Sequence, residues 1–493
     1  MYKEPNRAFR ILFDKFWGRL TKTNIDLPAV LVKVHLIVKR PLLLLVDELM
    51  KCGEDGATKI LHAIGICLNE HPPEIFDCIV STLDTSPVFK ENSSSGRPLL
   101  WVNLPPLSQE SSEKIFGTLP MTPELKLCIA ECNGHPRALE CIWSALKKFS
   151  GQRHIKTEYI IKAAIDDWGT RLPPISDAHL KIALNGKPVY PEDTIEELNI
   201  ATELLKGTFL NANVKKQTKF IPQLSPFSLR VIAARRGHSQ FDFVSQFITS
   251  MLSLEEGFDW NAYEKFHANW EMLKRVLFSG STRTFAEFYN CPTKLQLNPS
   301  FVLQKKDLKF LNQHFNEYCE KEKPQVDTLL DHGFLPAANN PGFDFISFEK
   351  NVNSNELIAI AVECKYSYPG SKNTTLNKTK VEEKWVNTLS QLETLSSILI
   401  CLIFILLDKK IEGKTLLKQS NIFLVVVSFQ KVTKELLPGD SCVLNSNILV
   451  LDKEALEYTY SPTLFSRPQF ISSSNARSTL GMNNSTPFIK FGS

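Results

Sequence analysis

Three side chains in the second half of the chain carry its most open chemistry: Asp344, Glu363 and Lys365. Asp344 follows Pro341-Gly342-Phe343 and precedes apolar Phe345-Ile346, while Glu363-Cys364-Lys365 closes the apolar run Leu357 to Val362. Two carboxylates are the hard oxygen ligands that Mg²⁺ takes, and a nearby ammonium can orient water or neutralise charge developing on a phosphoryl group. Charges that end a nearly continuous apolar strand are expensive to bury unless they are paired or bind metal. Asp344 and Glu363 are therefore the expected metal ligands and Lys365 the expected catalytic cation; a plain surface ion pair is the alternative.

The elements that must position them are legible. A Pro-Gly turn feeding Phe343 to Ile346 reads as one strand, polar Asn351 to Asn355 as a connection, and Leu357 to Lys365 as the next strand. Strand side chains alternate, so Glu363 and Lys365 share a face and Cys364 points to the other. Upstream, Tyr263, Phe266, Trp270, Leu273 and Leu277 recur at helical spacing and predict a helix with a buried face.

Asp344 with Glu363-Cys364-Lys365 resembles the PD-(D/E)xK motif of the restriction-endonuclease-like nucleases, with Phe343 standing where that motif has proline. The resemblance implies a restriction-endonuclease-like α/β domain, Mg²⁺ as cofactor, DNA as partner, and a further glutamate on a preceding helix. Glu264 is the candidate for that glutamate, as a metal or base group, and Glu271 is its alternative.

The first half carries a different pattern, Pro41-Leu42-Leu43-Leu44-Leu45-Val46-Asp47-Glu48, an apolar run ending in two acids. A Walker B strand of a P-loop NTPase looks like this: Asp47 would serve the Mg²⁺ of a nucleotide and Glu48 would activate water. The run predicts a buried strand of a parallel sheet, followed by a helix near 57–69, a strand Phe76 to Thr82 and another at Leu99 to Leu104. Gly134-His135-Pro136 marks a helix start and resembles the Gly-x-Pro element of STAND-type ATPases. The phosphate-binding loop is missing, because the first 46 residues hold a single glycine, Gly18. Weak or absent ATP binding is the expectation. The half is read as a truncated or degenerate P-loop NTPase-like domain.

Between the halves, helices and short turns to Arg236 predict a winged-helix-like connector whose Lys215, Lys216, Lys219, Arg230, Arg235 and Arg236 are available for phosphates or form a solvated face. After Lys365, a helix Lys378 to Glu393 offers Lys380, Lys384, Trp385 and Gln391 to a nucleic-acid groove. Ile422 to Val427 and Ile448 to Leu451 read as later strands. The Ser- and Asn-rich end predicts disorder. The expected division is 1–150, NTPase-like; 151–237, connector; 238–466, nuclease-like; and 467–493, tail.

The charge balance of +4 requires any basic groove to be local, and 11 cysteines without a CxxC pair give no readable zinc site. No signal peptide is read at the start. Ile398 to Leu407 is too short to span a bilayer, so no membrane partner is expected.

An NTPase-like half, a connector and a nuclease-like half in this order resemble the Crinkler effectors of oomycetes and some fungi. That resemblance implies secretion into host cells, entry into the host nucleus, DNA damage, an NTPase as regulator, and host proteins as further partners. A non-catalytic effector or scaffold is the competing function.

Overall fold

The computed structural model describes residues 34–46, 58–62, 64–65, 76–80, most of 106–465, and 488–489. Contacts divide the chain into two compact units, Met1–Asn103 and Leu104–Ser493. Asp47 and Glu48, the strand expected at Leu99 to Leu104, and Lys215 and Lys216 lie outside the described residues.

In the first unit, β1 (Leu42–Val46) pairs in parallel with β2 (Phe76–Val80), Leu42 opposite Phe76. Parallel pairing is as expected, but burial is not: Leu43, Leu45 and Ile79 are exposed, so one face of the pair is uncovered.

The second unit is mixed α/β. Its first part is helical: α1 (Pro123–Glu131), α2 (Pro136–Phe149), α3 (Thr157–Arg171) and α4 (Asp177–Asn185). The turn into α2 needs its glycine. Gly134 sits at φ +70°, and a Cβ there would lie 2.1 Å from the Leu107 carbonyl oxygen. A short helix, Ile200–Leu205, leads to a hairpin of β3 (Leu210–Asn213) and β4 (Phe220–Gln223). α5 (Pro226–Arg236) follows.

The basic residues expected to face phosphates are partly consumed here. Arg230 forks onto the buried Glu131 at 2.6 and 3.1 Å. Arg235 binds the carbonyls that end α3, including Leu172 at 2.9 Å, and Arg236 pairs with Asp177. A guanidinium held this way, above all one against a buried carboxylate, is structural rather than a phosphate contact.

α6 (Trp260–Leu277) then lies along a seven-stranded mixed sheet. The strands are β5 (Asp307–Phe310), β6 (His332–Leu335), β7 (Phe345–Lys350), β8 (Leu357–Lys365), β9 (Ile422–Ser428), β10 (Val443–Asn445) and β11 (Ile448–Leu451). Their order is β5-β6-β7-β8-β9-β11-β10. β6, β7 and β8 form an antiparallel meander, while β9 runs parallel to β8 after a crossover that contains α7 (Lys378–Leu407). That helix joins the expected Lys378 to Glu393 helix and the apolar run Ile398 to Leu407 into one element. Among the described residues no helix is long and apolar enough to cross a membrane.

Alternation along β8 explains its unbroken apolar run. Ile358, Ile360, Val362 and Cys364 pack with Tyr263, Phe266 and Trp270 of α6 in one core. Leu357, Ala359 and Ala361 pack with Val381, Leu392 and Leu395 of α7 in the other. A strand covered on both faces has no polar alternation to display. The α6-side core continues through the helices of 109–251, so those helices and the sheet share one interior. At the far end, Phe488–Ile489 pairs with Ile155–Lys156, which corrects the expectation of disorder at those two residues; the tail's remainder lies outside the described residues.

Candidate active site

The antiparallel register that sets Phe345 opposite Val362 brings Asp344 beside Glu363 at the carboxyl end of β8. Two bonds tie Asp344 to the neighbouring strand. Its N–H donates to the Val362 carbonyl at 2.8 Å, and its Oδ2 accepts the Cys364 N–H at 2.7 Å. The turn before it is pinned in turn. Gly342, at φ +100°, lies so close to α7 that a Cβ would meet the Thr388 nitrogen at 2.8 Å, and the Thr388 hydroxyl donates to the Gly342 carbonyl at 3.1 Å. The Asn340 amide donates to the Phe343 carbonyl at 2.8 Å.

This approach of α7 delivers a side chain that the motif does not contain. Glu363, 1% exposed, accepts on its Oε1 from Lys365, the neighbour on its own strand face, and from Lys384 of α7 at 2.8 Å. Its Oε2 is buried and, among the described residues, has no hydrogen-bond partner. A buried carboxylate oxygen without a donor costs on the order of 1–3 kcal/mol or more. Both ammonium groups are about one quarter exposed, so the cluster opens to solvent on the lysine side.

The two acids compete electrostatically. Burial, then the Glu363 carboxylate, push the Asp344 carboxyl up to about 7. Burial pulls the Lys365 ammonium down, but Glu363, with help from Asp344, outweighs it and raises the lysine above its ordinary value. The result is a pair of carboxylates, one of them pushed toward its neutral form by burial and by the other's charge, beside two ammonium groups.

Asp344, Glu363 and Lys365 are thus brought together, as the alternation of the strand predicts. Lys384, read from sequence only as a groove residue, joins them. Lys384, Thr388 and Gln391 follow i, i+4, i+7 spacing on one face of α7, and Gln391 is buried with neither amide atom bonded among the described residues. Glu264 lies in the first turns of α6, where its charge, after burial and Asp344, helps raise the Cys364 thiol. That places it on the Cys364 side of β8. Among the described residues no group of three His, Cys, Asp or Glu side chains is placed to hold a metal ion.

Glu271, the alternative, sits on the far side of the sheet in a saturated network. It accepts from Arg275 at 2.7 Å, from Tyr289, and meets His267 at 3.2 Å. Burial raises its carboxyl, but Arg275 and the other partners overcome this and hold it near 2. It is a permanent internal anion.

Asp344 and the open oxygen of Glu363 fit Mg²⁺, which binds through one or two carboxylates and completes its shell with water and substrate phosphate. Comparison with known protein families, with curated proteins and with solved structures finds no match for this chain.

Proposed function

We propose that this cluster is the centre of a Mg²⁺-dependent nuclease that cleaves phosphodiester bonds in DNA. The observation that carries the reading is the unpartnered Glu363 Oε2 beside an Asp344 that burial and Glu363 force toward protonation. Both ammonium groups meet Glu363 on Oε1, so a divalent cation at Oε2 would add positive charge where the lysines supply none and would favour the ionised form of Asp344. Bound there, the ion would polarise the scissile phosphate and lower the pKa of a water. Asp344 and Glu363 would hold it, Lys365 would orient the water or balance transition-state charge, and Lys384 would add a second ammonium toward the phosphate. Glu264, on the preceding helix α6 and close enough to Cys364 to act on its thiol, is the further metal or base group of this reading.

The wider reading follows the resemblance of the segment order. The first unit would be an NTPase-like module around the parallel pair β1 and β2, with Asp47 and Glu48 at its nucleotide site and weak ATP binding. The helical segment to Arg236, with its β3-β4 hairpin, would be the winged-helix-like connector. A Crinkler-type effector that is secreted into a host and acts on DNA in its nucleus, with host proteins as partners, is the function so proposed. The scaffold alternative draws on the two lysines that already neutralise Glu363.

The test is nicking of supercoiled plasmid by the full chain with Mg²⁺, with and without chelator, and a parallel arm with single-stranded RNA. Chelator-sensitive nicking supports the reading. Equal nicking with chelator points to contamination, and cleavage of RNA alone shifts the substrate.

A further inference from the structure

A second constellation lies in the helical part of the large unit, apart from the acid cluster. Ser176 Oγ is 2.8 Å from His179 Nδ1, and His179 Nε2 is 2.8 Å from Glu203 Oε2. Glu203 also accepts from the Thr208 hydroxyl at 3.1 Å, and the Phe209 ring packs on the imidazole with centroids 5.7 Å apart. His179 and Glu203 are each 5% exposed, whereas Ser176 is exposed. A hydroxyl open to solvent thus sits on a buried imidazole that a buried carboxylate orients.

The bonds assign the tautomer. The Ser176 N–H donates to Nδ1 at 3.1 Å, so Nδ1 carries a lone pair and the ring proton rests on Nε2, pointing at Glu203. The same lone pair, shared with that N–H, lies 2.8 Å from the Ser176 oxygen and would take the hydroxyl proton, with Glu203 stabilising the imidazolium that forms.

We propose that Ser176, His179 and Glu203 form a nucleophilic centre that transfers the acyl group of small activated carboxylic esters. Ser176 Oγ attacks the carbonyl carbon and forms the new C–O bond as the π pair moves onto the carbonyl oxygen. Nδ1 takes the Oγ proton. Collapse of the tetrahedral species breaks the bond to the leaving alcohol, which departs with that proton. Water then repeats the sequence, releases the acid and restores the hydroxyl. Ser176 precedes α4, so the N–H groups of Asp177 and Ala178, which have no carbonyl within the helix, would be the donors available to the developing oxyanion.

The same atoms also describe a helix cap in which a side chain at the third helical position reaches back to the cap N–H. A cap is served by Glu or Gln at that position and needs no buried carboxylate behind it. Here His179 is anchored to Glu203, whose burial requires the donors of His179 and Thr208.

The experiment treats the full chain with diisopropyl fluorophosphate, maps the labelled peptide by mass spectrometry, and follows p-nitrophenyl acetate hydrolysis. Label is expected on Ser176, with fluoride expelled from phosphorus. Ser176→Asn keeps a capping oxygen without a nucleophile and should fold and take no label. His179→Gln should slow labelling by about 100-fold, in the range that general base catalysis contributes, and Glu203→Gln by about tenfold. Circular dichroism checks each fold, and Ser176→Asn with Glu203→Gln decides the matter if His179→Gln is unfolded. Absence of label on Ser176, or an undiminished rate in the folded His179 or Glu203 variants, overturns the proposal and leaves a structural cap. Glu363→Ala should label like the wild type, which separates this outcome from that of the nuclease.

Discussion

Strands β7 and β8 carry buried charge on both faces of the same sheet, and the two faces are built oppositely. On the α6 face, Arg275 bonds Glu271 at 2.7 Å, Glu349 at 2.9 Å and Ser347 at 2.8 Å. Lys306 closes the row 3.6 Å from Glu349, and His267 links Glu271 to Tyr460. Anions and cations alternate there, and each carboxylate is matched. On the α7 face, Glu363 has two cations on one oxygen and, among the described residues, none on the other, while burial and Glu363 push Asp344 toward its neutral form. A matched network fixes geometry, whereas an unmatched one holds binding capacity in reserve.

The largest expected effect bears on the unmatched face. Glu363→Ala should lower Mg²⁺-dependent plasmid cleavage by about 10³-fold or more, because several kcal/mol of charge stabilisation go with the ligand. The fold should survive, since both lysines reach solvent once released and Asp344 loses its repulsive neighbour. Retained cleavage together with a lost fold would invert the comparison.

Removing the cation at the centre of the matched face should act on stability instead. Arg275→Met leaves Glu271 and Glu349 buried without their main partner and should cost about 3–5 kcal/mol, read as a shift of the urea midpoint. A loss below about 1 kcal/mol would mean that water already reaches this face.

Acidity gives the next effect, and its sign follows from Asp344. An unfolded aspartate titrates near 3.9, the folded one near 7, so between those values the folded state binds more protons and stability falls as pH rises. The slope for one group approaches about 1.4 kcal/mol per pH unit at its steepest. Asp344→Asn should flatten the metal-free stability curve between about pH 4 and 7, and Mg²⁺ should flatten it in the wild type. Parallel curves for wild type and Asp344→Asn would show that Asp344 is ionised without metal.

Much of this arrangement was legible in the sequence because it is local. The span of β8 and the start of β9 follow from apolar runs with charged or polar ends, the strand alternation puts Glu363 and Lys365 together, and the five apolar residues of α6 at helical spacing are all buried. What stayed hidden depends on distant partners. Nothing near Arg275 announces Glu349, and Lys384 reads as one more solvated lysine until the Gly342–Thr388 approach brings α7 onto the site. Arg230 looked like a phosphate contact because its partner, Glu131, is far away in the chain. Ser176, His179 and Glu203 showed no periodic signal, since Ser-x-x-His is common and the glutamate comes from another helix.

Lys384 supplies the smallest effect and the finest test of the comparison. Its ammonium shares Glu363 Oε1 with Lys365, yet its side chain is 27% exposed, so solvent screens much of the attraction and stability should hardly depend on it. If it faces the substrate phosphate, its charge acts on the transition state more than on the bound ion. Lys384→Ala should then slow turnover by about tenfold, roughly 1.4 kcal/mol of barrier, while the Mg²⁺ concentration for half activity stays unchanged. Lys384→Arg keeps the charge and should recover part of the rate. Turnover measured across a Mg²⁺ titration separates the cases. An unchanged rate makes Lys384 a surface partner of Glu363. A lowered Mg²⁺ requirement would show that the ammonium competes with the ion for the same carboxylate, so that the α7 face is closer to balance than its unpartnered oxygen indicates.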